Sequence, residues 1–123
     1  MPPPGLHFRV IIATMLGSTG DYRMFVHTVY FWLRPGTSEE ARAQLVRDCR
    51  DYLGKVPSVK QLMVGIPAMT PREVVDNSYG VGLTVVLEDS KGHDVYQEHS
   101  LHKDFITRNK AHWERVQIYD YVG

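Results

Sequence analysis

The stretch from Phe25 to Arg34 constrains the fold more than any other part of the chain. Its β-branched and aromatic residues read as a strand. Side chains alternate along a strand, so His27, Val29, Phe31 and Leu33 share one face, and Val26, Thr28, Tyr30 and Trp32 share the other. Both faces carry large groups, so the sheet built on this strand needs cover on two sides.

The rest of the chain supplies one of those covers. Pro35-Gly36 ends the strand, and Thr37 with Glu40 reads as a capping box. Ala41, Leu45, Cys49, Tyr52, Leu53 and Val56 then recur at helical steps as one apolar stripe, stopped by Gly54 and Pro57. Val59 to Gly65 reads as a second strand, and residues 68–77 as a loop. Tyr79 to Glu88 is a third strand, large on one face and small at Gly80, Gly82 and Thr84 on the other. Asp89 or Ser90 caps a short helix through His99; further helical turns follow from Leu101, and Arg115 to Val122 is the last strand. The order βαββαβ is that of a ferredoxin-like α+β fold, with helices on one face of a mostly antiparallel sheet. Tyr30, Trp32, Val86, Tyr119 and Tyr121 fall on the other face. A second copy of the chain covers such a patch, giving a homodimer in which two sheets close a dimeric α+β barrel.

Residues 1–23 stand apart from this pattern, with three successive prolines and a Gly-Ser-Thr-Gly linker. They are expected to be an appended arm or the product of an upstream start codon, with the domain running over 24–123. The apolar run Phe8 to Leu16 is interrupted by Arg9 and falls far short of the ~20 residues of a membrane helix. No membrane association is expected. Lys plus Arg equals Asp plus Glu at fourteen each, so no overall field favours nucleic acid. The lone Cys49 has no disulfide partner within the chain, as suits a cytoplasmic protein, and its place on the apolar stripe reads as inert packing.

Several of these pieces occur together in a known family. His27 opening the first strand, the run Tyr96-Gln-Glu-His99-Ser-Leu-His102 followed by Phe105, the segment Thr70 to Asp76 leading into Tyr79-Gly-Val-Gly-Leu, and the ending Ile118-Tyr-Asp-Tyr121 resemble the stress-responsive dimeric A/B barrel (Dabb) family. The resemblance spans Met24 to Val122. It implies a dimeric α+β barrel with a cavity between each sheet and its helices. One plant member, olivetolic acid cyclase, closes a polyketide chain without a metal or organic cofactor, and no cofactor is expected here. The acid/base Tyr and His of the cyclase match Tyr96 and His102. Its first-strand His matches His27. This chain departs in having Ser100 where a Pro is usual, and Val81 where the cyclase has a further His.

Read by themselves, these residues leave alternatives open. His102 titrates near neutrality and suits proton transfer at a ketone or enol; equally, it suits a hydrogen-bonded helix junction. Tyr96 lies six positions earlier, so a straight helix puts the two on different faces, and a break near Ser100 is needed to join them. His99 and His102 form an HxxH pair that, with His27 and Asp120, suggests a metal site only weakly, and no metal is expected. His27 and Asp120 should share the helix-side face, where a buried carboxylate needs a partner. A cavity lined by His27, Val29, Phe31, Leu83 and His102, with His99 and Asp120 beside it, fits a small apolar or aromatic ligand. With Tyr96 and His102 as acid and base, it fits a cofactor-independent lyase, cyclase or isomerase.

Overall fold

The computed structural model describes residues 24–123, so the expected N-terminal extension lies outside the described residues. The chain runs β1 (Phe25–Leu33), α1 (Glu39–Asp51), a 3-10 turn (Leu53–Lys55), β2 (Val59–Gly65), β3 (Val81–Leu87), α2 (Ser90–Glu98), α3 (Ser100–Asn109), a second 3-10 turn (Lys110–His112) and β4 (Trp113–Val122). The four strands form one sheet in the order β2-β3-β1-β4, with every pairing antiparallel. This is the ferredoxin-like α+β arrangement that the alternation implies.

Local chemistry sets the boundaries. Gly36 turns the chain out of β1 at a φ of 85°, a left-handed conformation that glycine adopts without strain. The cap of α1 is Ser38 rather than Thr37: Ser38 Oγ accepts from Ala41 N at 3.0 Å, whereas Thr37 Oγ1 donates back to Arg34 O at 2.6 Å. Two adjacent hydroxyls compete here, and the one that continues the turn loses the cap. Asp89 caps α2 by accepting from Gly92 N at 2.8 Å.

The stripe read from the sequence is the one that packs. Leu45, Cys49, Leu53 and Val56 are buried against Val81, Val85 and Leu87 of β3 and against Phe105 of α3. Each such side chain contributes about 1.5–3 kcal/mol on leaving water. Asp48, also buried, ties α1 to the end of α3 by accepting from Arg108 Nε at 2.8 Å and from Asn109 Nδ2 at 2.9 Å. That clamp fixes the helix carrying His102.

On the opposite face Gly82 lets aromatic rings lie close to the sheet. A Cβ there would meet Tyr79 Cε2 at 3.3 Å and Tyr30 Cε1 at 3.5 Å. The close approach expected at this glycine is therefore made by the chain's own tyrosines. Tyr119 and Tyr121 on the same face are 60% and 59% exposed. Among the described residues, no helix is long and apolar enough to cross a membrane.

Candidate functional site

Antiparallel register places the helix-side residues of three strands in rows. His27 stands between Val85 and Asp120, Val29 between Leu83 and Ile118, and Phe31 between Val81 and Val116. The first row holds the polar chemistry. His27, 3% exposed, donates from Nδ1 to Asp120 Oδ1 at 2.6 Å, while the Asp120 side chain keeps 37% of its surface. A carboxylate on one ring nitrogen fixes the orientation of the imidazole.

The helices bring further rings to this row because the chain breaks between them. His99 adopts φ −66° and ψ 142°, ends α2 and begins α3. Its Nδ1 accepts from Leu101 N at 3.0 Å, so the residue acts as the cap of α3. The break falls one residue before Ser100. Tyr96 and His102, which a continuous helix would separate, meet edge-to-face with ring centroids 4.8 Å apart. Tyr96 also lies 5.9 Å from the His27 ring.

These rings border a cavity of about 230 Å³ between sheet and helices. Its walls include Val29, Phe31, Leu83, Phe105, Trp113 and Ile118, with His27, Tyr96, Gln97 and His102 as polar members. It thus brings together six of the residues singled out from the sequence. His99 and Asp120 do not line it: the first is occupied in capping, the second sits behind His27. On the edge strand the helix-side Val116 and Ile118, which also line the cavity, remain 38% and 44% exposed.

Burial tunes the two central groups in useful directions. Loss of water pushes the Tyr96 phenol well above its ordinary value, so it stays protonated and can donate. Loss of water, and then the neighbouring His27, hold His102 below the usual imidazole range, so it stays neutral and can accept a proton. His102 Nδ1 is buried with no hydrogen-bond partner among the described residues. Burial pushes the Cys49 thiol up to about 12, consistent with an inert core residue.

One residue was missed. His93 stacks on Phe25 with centroids 4.4 Å apart and lies 4.7 Å from the His27 ring. Its spacing of three from Tyr96 on one helix was the available signal, since residues three apart share a face. His27, His93 and Asp120 each offer a donor atom within 4.8 Å of the others. His93 therefore joins His27 and Asp120 in this donor set, to which neither His99 nor His102 belongs.

A wider hollow, about 350 Å³, lies on the other side of the sheet between Tyr30, Trp32, Tyr79, Arg115 and Tyr119. Arg115 stacks over the Trp32 ring at 4.2 Å, and Trp32 Nε1 donates to Ser78 Oγ at 2.9 Å. This hollow lies apart from the histidines and belongs to the face left without helices.

Solved structures with the same architecture are numerous. A Dabb family protein with a ferredoxin-like fold from Mesorhizobium loti is 22% identical, with a TM-score of 0.68 over 82% of this chain and 97% of its own. A dimeric ferredoxin-like protein from Thermobifida fusca is 13% identical, with a TM-score of 0.69 over 80% of this chain and 90% of its own. A hydroxynitrile lyase from Passiflora edulis is 12% identical, with a TM-score of 0.69 over 81% and 93% of the two chains. At these identities the likeness is one of fold. No curated protein matches the chain in sequence. The family model of the stress responsive A/B barrel domain matches residues 25–123, and the chain belongs to that family.

Proposed function

We propose that this protein is a cytoplasmic homodimer that takes up a small, uncharged apolar or aromatic molecule in the cavity between sheet and helices, in the stress-associated setting for which its family is named. The observation that carries this reading is the cavity itself: apolar walls, with His27, Tyr96 and His102 clustered together among them. No Lys, Arg, Asp or Glu is among its lining residues, so a neutral compound fits better than an anion. Its volume of about 230 Å³ lies below the roughly 300–1,000 Å³ of drug-sized sites, which favours a single substituted ring.

A second reading, a cofactor-independent lyase, cyclase or isomerase, is favoured by the contact between Tyr96 and His102. A neutral imidazole takes a proton next to a carbonyl, and the protonated phenol donates to the oxyanion that develops. His27, oriented by Asp120, completes the polar end. A thermal-shift screen of small aromatic ketones against the matching acids tests the first reading, with ketones expected to stabilise and acids not. His102→Ala is expected to abolish the response with the melting temperature nearly kept. Tyr96→Phe should weaken it by about 1–3 kcal/mol, the worth of one hydrogen bond in a dry site. If both variants respond like wild type, neither side chain contacts the ligand. Should His102→Ala lose its ligand response only in proportion to a lower melting temperature, the histidine is structural.

A further inference from the structure

We propose that His27, His93 and Asp120 form a binding site for one divalent transition-metal ion of the zinc type, beside the His27 end of the cavity. Each offers one ligand atom within 4.8 Å of the others. An ion with bonds of ~2.0–2.1 Å places tetrahedral ligands roughly 3–3.5 Å apart, so a modest turn of the side chains closes the set. His27 and Asp120 already meet at 2.6 Å through a shared proton, which an ion taking its place releases to solvent.

A second observation points the same way. His93 Nε2 is buried and has no hydrogen-bond partner among the described residues. A polar nitrogen kept from water is normally satisfied, and this one sits on the ring that approaches His27 and Asp120. The Phe25 stack holds that ring in place, a rigidity that suits a ligand.

The donor set selects the ion. Two imidazoles and one carboxylate suit zinc, cobalt and their neighbours, whereas magnesium and calcium prefer oxygen alone. Three protein ligands leave one position open, as in zinc sites that bind water or a substrate. The Asp120 side chain, 37% exposed, gives the ion a way in from solvent.

The test uses Co2+ as probe on the full chain after chelation, read by the visible absorption of the bound ion. Wild type is expected to take up one Co2+ per chain, displaced by Zn2+ and not by Mg2+. His93→Phe keeps the stack on Phe25 and loses both nitrogens, and should weaken uptake at least tenfold. Asp120→Asn, whose amide oxygen can still accept from His27, should do the same and covers the case in which His93→Phe fails to fold. His99→Asn should leave uptake unchanged. The proposal is overturned if wild type takes up no Co2+ at equimolar ion, if uptake survives in both Asp120→Asn and His93→Phe, or if His99→Asn alone removes it. The readout is metal binding itself, so it stands or falls independently of any cavity ligand.

Discussion

Asp48 is a carboxylate where water scarcely reaches, 3% exposed, and it persists because three donors face it. The two sides of this clamp are unequal. Asn109 is buried with it, whereas the Arg108 side chain keeps 44% of its surface and can return to water when released. Removing the acceptor leaves buried Asn109 Nδ2 with only its bond to Phe105 O at 3.0 Å and one amide hydrogen unpaired, which costs more than removing one exposed donor. Asp48→Ala is therefore expected to lower the unfolding free energy by about 2–4 kcal/mol in a urea titration. Arg108→Gln should lose far less. Equal losses in the two variants would mean that the ion pair, and not the buried amide, holds α1 to α3. Tyr96 and His102 show the same logic at the site: their shifts come first from lost water, so their chemistry follows from where the fold places them.

The junction of α2 and α3 determines whether that placement exists. His99 accepts from Leu101 N and starts a new helix, and this brings Tyr96 and His102 to one cavity. His99→Ala is expected to cost about 1 kcal/mol as a lost cap, while His99→Asn, a strong capping residue, should stay within a few tenths. If His99 acts only as a cap, the ligand response of the Asn variant equals that of wild type; a lost response with an unchanged melting temperature would give the imidazole a direct role. Strands and stripes were legible because they depend on period: the parity of His27 and Asp120 predicted their shared face, and the burial of Val29, Phe31, Leu83 and Cys49 follows the expected stripes. Choices between neighbours were not legible. Thr37 and Ser38 both carry hydroxyls, and only the turn geometry decides which one caps. The spacing of three from Tyr96 marks the helix face of His93, but its partners come from β1 and β4, which that spacing does not name. The cavity wall Trp113 likewise follows from β4 beginning at Trp113 rather than at Arg115.

At the scale of the whole molecule, the unfinished part is the sheet face without helices. Tyr119 and Tyr121 are 60% and 59% exposed there, Met63 is 55% exposed, and Tyr30, Trp32 and Tyr79 frame the wide hollow beside them. A monomer would leave these aromatics in water, and the edge strand would leave Ile118 at the cavity mouth only half covered. A second copy laid sheet to sheet hides the aromatics of the helix-free face, and stable interfaces of this kind bury roughly 800 Å² on each partner. Sedimentation equilibrium at micromolar concentration is expected to give a two-chain mass, with a melting temperature that rises with protein concentration. Replacing both Tyr119 and Tyr121 by Glu puts charges where two like surfaces meet about a two-fold axis, and should yield a folded monomer. Both side chains point away from the helices, so the core rows of His27, Val29 and Phe31 are untouched and the far-ultraviolet signal should be kept. A wild-type chain that sediments as a monomer would rule out the barrel, and a double variant that stays dimeric would move the interface to another face.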